Sequence, residues 1–209
     1  MVKVIIIGAT GKSGSRIQTE LLSRGHTVTS VARDASKIAP ADNLTVVQAT
    51  IADDLAALIN GHDVVVNAYA PPVGSEQDLV GFTQRLADAA KATNTRLLMV
   101  GGAGGLQVAP GQLVINQSWF PDAYKPIAQA HIDALEVLRA ASPSLNWTTF
   151  SPAAMFAPGE RTGKFRLDVE NLVADASGNS VISMEDYAIA VVDEIERPQH
   201  VGRRFTIGY

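Results

Sequence analysis

Apolar and polar positions along the chain keep two rhythms in alternation. Short, mostly apolar runs fall at residues 2–7, 44–48, 63–67 and 96–100, and stretches with apolar residues every three or four positions lie between them. After the first run a helical pattern passes through Ile17, Leu21 and Leu22, and Arg24-Gly25 ends it. Residues 26–31 read as a second strand, 44–48 as a third, and Leu55, Leu58 and Ile59 as a short helix closed by Gly61. A fourth strand over 63–67 runs into the loop 68–72. A helix over 76–93, a fifth strand over 96–100, a helix over 127–141 and a sixth strand over 147–150 follow. Ser183 caps a last helix along 187–195, with Glu185 and Asp186 in its first turn, and 203–207 is a final strand. Strands that are apolar at nearly every position need cover on both faces. The pattern therefore predicts an α/β chain: a Rossmann-like, doubly wound, mostly parallel sheet with helices on both faces. No repeat or linker divides it, so one domain over 1–209 is expected.

The join between the first strand and the first helix carries the densest signal. Gly8, Gly11 and Gly14 stand at spacings of three in Gly8-Ala9-Thr10-Gly11-Lys12-Ser13-Gly14, between strand and helix. Gly8 permits the sharp turn, Gly11 lets the backbone approach a pyrophosphate, and Gly14 lets the helix pack closely on the sheet. The N–H groups from Gly11 to Ser13 are then free to donate to an anion, and Thr10 and Ser13 add hydroxyl donors. Lys12 lacks the spacing of a phosphate-binding P-loop, but it stays in the candidate turn.

Ends of later strands would meet a dinucleotide bound there. Arg33 leaves the second strand ahead of Asp34, and an arginine at this place accommodates a 2′-phosphate, which favours NADPH over NADH. Asp34 has an alternative use as a helix cap. Asn67, Ala68 and Tyr69 leave the fourth strand beside the expected cofactor. Gly101 and Gly102 open a Gly-Gly-Ala-Gly-Gly segment, where so much glycine implies a mobile or very closely approached backbone. The substrate side is expected from 101–126 and 151–182. Its slot would be formed by the glycine segment, Pro152, Trp119, Phe120 and Tyr124. Tyr124 and His131 are the candidate proton donors, although a helical histidine is more often structural.

Composition narrows the field. With 46% hydrophobic and 18% charged residues the chain is a core-forming protein and not a disordered one. A net charge of −4 gives no reason to expect nucleic acid or an anionic membrane as partner. The absence of cysteine removes thiolate chemistry and disulfides, and the four histidines lack metal spacing, so no metal is expected. No apolar run approaches the roughly 18 residues of a membrane span, and a cytoplasmic monomer or homodimer acting on a small molecule is expected.

Several blocks carry a family resemblance: G-A-T-G-K-S-G at 8–14, V-A-R-D at 31–34, V-G-G-A-G-G at 100–105, S-P-A-A-M-F-A-P-G-E-R-T-G-K at 151–164, I-S-M-E-D-Y-A at 182–188 and the R-F-T-I-G-Y terminus. The chain resembles the atypical short-chain dehydrogenase/reductases, in particular the small bacterial NADH-flavin reductase group, with biliverdin reductase B and NmrA-like proteins as relatives. This resemblance implies NAD(P)H binding and a flavin or similar flat conjugated acceptor as substrate. Residues 131–139 also resemble the helix that borders the active site of biliverdin reductase B. One departure bears on mechanism: no tyrosine has a lysine four residues on, so the Tyr-x-x-x-Lys pair of the carbonyl-reducing members and sugar epimerases is missing. An NmrA-like redox sensor without turnover is the alternative from a different class.

Overall fold

In this computed structural model, which describes residues 1–209, the chain runs β1 (Lys3–Ile7), α1 (Lys12–Ser23), β2 (Thr27–Ala32), β3 (Leu44–Gln48), α2 (Leu55–Ile59), β4 (Val64–Asn67), α3 (Asp78–Thr93) and β5 (Arg96–Val100). It continues through a small hairpin, β6 (Gln107–Ala109) and β7 (Gln112–Leu113), to α4 (Lys125–Ala141), β8 (Trp147–Ser151), β9 (Met155–Ala157), β10 (Arg166–Asp168), β11 (Val181–Ser183), α5 (Met184–Glu196) and β12 (Arg203–Gly208). Eight strands form one sheet in the order β10-β12-β8-β5-β4-β1-β2-β3, parallel except for β10 on the edge. The doubly wound expectation holds.

Alternation along β1 explains the layers. Val4 and Ile6 point into a core with Ile17 and Leu21 of α1 and the apolar side of α5. Ile5 and Ile7 point the other way, into a core with α2, α3 and α4. Both sets are buried, which is why the strand carries no polar position between Val4 and Ile7. Each strand-helix unit hides its own apolar face, and burial of this kind contributes about 25 cal/mol per Å².

β1 pairs with β2 on one side and β4 on the other. The chain first builds outward through β2 and β3, then returns to build the other half. Open α/β sheets bind their ligands at such a reversal, outside the carboxyl ends of the two strands, here β1 and β4, and the glycine turn after β1 stands at that point. Three short pieces escaped the sequence reading. β10 adds an antiparallel edge to β12, β9 pairs with β11, and β6 pairs with β7. Each has three residues or fewer, too few to show a period of two.

Candidate functional site

The turn from β1 into α1 is shaped by contacts that exclude side chains. Gly8 has φ +92°, and a Cβ there would lie 2.5 Å from the carbonyl oxygen of Ala68. A Cβ on Gly14 would lie 2.3 Å from the Gly8 carbonyl oxygen. The end of β4, the turn and the first turn of α1 are thus pressed together at two glycines. Gly11 caps the helix, and its N–H donates to the Gly8 carbonyl at 3.0 Å. This corrects the sequence expectation for Gly11, because the turn closes on that donor. The first helical bond runs from the Ser15 N–H to the Gly11 carbonyl, which leaves the N–H groups of Lys12, Ser13 and Gly14 without an acceptor in the chain. The hydroxyls of Thr10 and Ser13 make no hydrogen bond, and Lys12 is exposed and unpaired.

At the end of β4, Asn67 is buried. Its Oδ1 accepts from the Tyr69 N–H at 3.1 Å, and its Nδ2 is enclosed with no partner. A buried amide donor without an acceptor is costly, about 1–3 kcal/mol. Three free N–H groups, two free hydroxyls and this orphaned amide around one glycine turn are the donor set an anionic dinucleotide requires, so the residues present fit one. Ala68 supplies the carbonyl against Gly8, and Tyr69 is half-buried with its ring edge-to-face on Phe82, centroids 5.3 Å apart. Burial raises the Tyr69 phenol above its usual pKa, the charge of Asp78 adds to that, and Arg33 opposes it.

Arg33 is the first residue beyond β2, exposed, with no ion pair or hydrogen bond in the chain. Asp34 is engaged locally. Its Oδ1 accepts from the Ser36 N–H at 3.1 Å and from the Ser36 hydroxyl at 2.6 Å, and these bonds hold its carboxyl below the usual range. Asp34 is the cap that its alternative reading anticipated. The free charge at this corner is the arginine.

The segment 101–105 is approached closely, but by the chain itself. A Cβ on Gly101 would lie 2.9 Å from the Thr149 methyl group, and one on Gly102 would lie 3.1 Å from the His131 ring. His131 is half-buried on α4, and its enclosed Nδ1 has no partner. Burial lowers its pKa to about 4, so the imidazole is neutral at physiological pH. Pro152 is buried just past β8, whereas Trp119 and Tyr124 are exposed by 54% and 62% and make no side-chain hydrogen bond. The structure therefore brings Gly102 and His131 together and leaves Tyr124 in solvent. Tyr187 is a core residue: its hydroxyl donates to the Phe150 carbonyl at 2.7 Å, and burial raises its pKa well above the usual value.

Sequence reading placed the loop 158–164 on the ligand side and missed what fastens it. The buried Asp186 carboxylate accepts from the Thr162 hydroxyl at 2.5 Å, the Gly163 N–H at 2.8 Å and the Tyr209 hydroxyl at 2.8 Å. Burial works against its charge, but these donors prevail and its pKa is lowered. Glu185 joins the Gly159 N–H at 2.7 Å to Arg16 of α1, and Arg161 grips Glu20 with two bonds of 3.0 and 2.9 Å. The E-D pair after a Ser cap was the available signal.

A family model described as NAD(P)H-binding matches residues 8–198. The chain belongs to that family. Among solved structures it is similar to a protein from Streptococcus pneumoniae named as a candidate NADH-flavin reductase, 31% identical with TM-score 0.92, covering 100% of this chain and 99% of that one. It is also similar to a protein from Bacteroides thetaiotaomicron named as a candidate epimerase, 36% identical with TM-score 0.93, covering 100% and 98%. A third, from Burkholderia pseudomallei and named as a candidate exported protein, is 43% identical with TM-score 0.91, covering 100% of both chains. These matches place the chain in an atypical short-chain dehydrogenase/reductase-like family with an oxidoreductase-type NAD(P)-binding fold. No helix is long and apolar enough to cross a membrane.

Proposed function

We propose that this protein is an NADPH-dependent reductase that passes hydride to a flavin or a related flat, conjugated acceptor. The observation that carries the cofactor choice is Arg33: it stands free at the end of β2 while Asp34, the residue that would otherwise accept ribose hydroxyls, is spent on Ser36. The observation that carries the reaction type is the lack of an acid-base pair. Tyr187 is sealed in the core, Tyr124 is solvated, and no lysine stands four residues beyond any tyrosine. That disfavours epimerase or alcohol chemistry. It suits hydride transfer between stacked rings, where positioning is most of the catalysis.

Lys12, Ser13 and Gly14 would hold the pyrophosphate through their N–H groups, Thr10 and Ser13 through hydroxyls, and Arg33 the 2′-phosphate. Bound NADPH supplies the hydride. Asn67 would donate its free amide to the bound cofactor, and Gly102 with His131 behind it would form a wall of the acceptor slot. His131 is neutral, so its ring would border the slot without adding a charge. The similarity to the Streptococcus pneumoniae protein supports the flavin reading.

The test is NADPH and NADH oxidation followed at the nicotinamide band with FMN as acceptor. Saturation in both substrates with NADPH preferred supports the reading. Tight NADPH binding with no oxidation by FMN, quinones or biliverdin would replace it with an NAD(P)-binding sensor.

A further inference from the structure

Past the glycine segment the chain exposes large apolar side chains. Tyr124, Ala128 and His131 stand at i, i+4 and i+7 along α4 and its cap, which is one stripe of the helix. Ala128 and His131 lie against Gly104 and Gly102, so the stripe is packed along 101–105 and runs beyond it at the exposed Tyr124. Trp119, in the stretch that leads into α4, is exposed too, and Met155, just past β8, is exposed by 63%. All three side chains come from connections that leave the carboxyl ends of β5 and β8. They form an apolar rim on the acceptor side.

The same edge offers no free cation beside that rim. Between 101 and 126 the only basic residue is Lys125, whose Nζ is 2.6 Å from Asp122. Between 151 and 182, Arg161 is held by Glu20, and Arg166 by the carbonyls of Ala174 and Tyr209. Lys164 alone lacks a side-chain partner, and it ends the loop that Asp186 fastens to α5, on the face of the sheet opposite α4. The loop 68–77 after β4 has no basic residue and carries Glu76. The N-terminal end of α4 is no substitute. The Lys125 N–H bonds the Asp122 carbonyl, Pro126 has no N–H, and the Asp122 carboxylate stands in the preceding turn. What the slot does offer is uncharged: the N–H groups of residues 102–105, none of which bonds within the chain. Backbone donors of this kind suit carbonyl oxygens, and an apolar rim suits hydrocarbon.

We propose that the acceptor is an uncharged quinone-type ring with an apolar substituent, its carbonyl oxygens on the N–H groups of 102–105 and its substituent against Trp119, Tyr124 and Met155. This rests on the reductase reading above and names the acceptor within it. Hydride from NADPH and a proton from solvent turn the quinone into its hydroquinone and leave NADP⁺.

The test is calorimetric titration of the full chain, loaded with NADP⁺, with riboflavin, FMN and naphthoquinones that carry straight alkyl chains of increasing length. Riboflavin and FMN should bind within about threefold of each other, because the phosphate meets no cation. Each added methylene should tighten the quinone about twofold, half the effect of full burial. Trp119→Ser should reduce that gain, and an undiminished gain would overturn the proposal. A larger preference for FMN that Lys164→Ala removes would reveal a phosphate site and overturn it as well, as would quinone affinity that ignores chain length. NADPH oxidation by the same compounds separates the two claims. FMN turned over in clear preference to riboflavin and the quinones sinks this inference and keeps the reductase, whereas neither binding nor turnover with any of them removes both.

Discussion

Single residues decide the glycine turn and its surroundings, and three residues, Gly14, Arg33 and His131, give sharp expectations. Gly14→Ala places a methyl group 2.3 Å from the Gly8 carbonyl, where the contact is backbone on both sides and cannot turn away. Overpacking of this kind costs about 1–3 kcal/mol. The variant should unfold at lower urea and lose NADPH affinity as α1 shifts off the turn, read by urea titration and nucleotide fluorescence. Arg33→Ala should weaken NADPH binding about tenfold or more, the worth of a charge-assisted contact, and leave NADH binding within about twofold. Equal loss for both nucleotides would remove Arg33 from the cofactor site. His131 gives a pH signature. Its folded pKa of about 4 lies below the unfolded value, so the unfolded chain binds a proton first as pH falls from 7, and stability drops across that window until the folded pKa is reached. The unfolded value near 6.5 makes the loss roughly 2 kcal/mol between pH 7 and pH 5. His131→Gln should abolish that difference. Unfolding free energies at the two pH values, for parent and variant, check it.

Elements fix what residues cannot. The segment 158–164 has no regular structure of its own, and carboxylates on α1 and α5 hold it: Glu20, Glu185 and Asp186. Asp186→Asn keeps the shape but leaves one acceptor oxygen for three donors. Breaking a buried charged group of this kind costs about 3–5 kcal/mol. Trypsin should then cut after Arg161 or Lys164 much faster than in the parent, with cleavage followed by mass spectrometry. All three carboxyls are held below their usual pKa, so their contribution is present at neutral pH and is lost as pH falls below the ordinary carboxylate range, under the His131 window. The same scale shows what was legible in advance. β3 and β5 lie where the apolar runs put them, and Ser183 caps α5 as expected of a serine ahead of Glu185 and Asp186, accepting from the Asp186 N–H at 3.0 Å. Gly8 and Gly14 were readable because their neighbours are local in sequence or at the strand end. The buried polar side of β8 and β12 was not. Thr149, Ser151, Arg204 and Thr206 look like the solvent side of ordinary strands, and only the register between β8 and β12 and the contacts of Gly101 and Gly105 show that they are buried. For the same reason the glycines of 101–105 implied a mobile or a very closely approached backbone, and α4, whose His131 and Ala128 lie against Gly102 and Gly104, makes it the second.

At the scale of the whole molecule, the two ends of the parallel sheet do different work. Every cofactor candidate lies at the carboxyl end, among exposed or orphaned donors. The opposite end holds an ion cluster: Arg96 donates to Glu194 at 2.6 Å and to the Thr148 hydroxyl at 2.9 Å, while Glu194 accepts from the Gln199 and His200 N–H groups and bonds the His200 ring at 2.8 Å. Burial opposes the Glu194 charge, yet its donors hold the carboxyl below its usual pKa. Arg96 and Glu194 are almost fully buried, so removing one partner strands the other in the core. Arg96→Met should therefore cost about 3–5 kcal/mol of stability. Because β5 separates this cluster from Gly101, the nucleotide end should not notice: the dissociation constant for NADPH should stay within about twofold, and saturating NADPH should raise the variant's stability as much as the parent's, about 2.7 kcal/mol at 100 times the dissociation constant. Thermal melts of both proteins with and without NADPH measure the two quantities together. A variant that melts lower and keeps the full ligand-induced shift fits a sheet whose ends are independent. A shift that shrinks with stability would mean that β5 carries strain from the ion cluster to the glycine segment, and that the site depends on the far end of the fold.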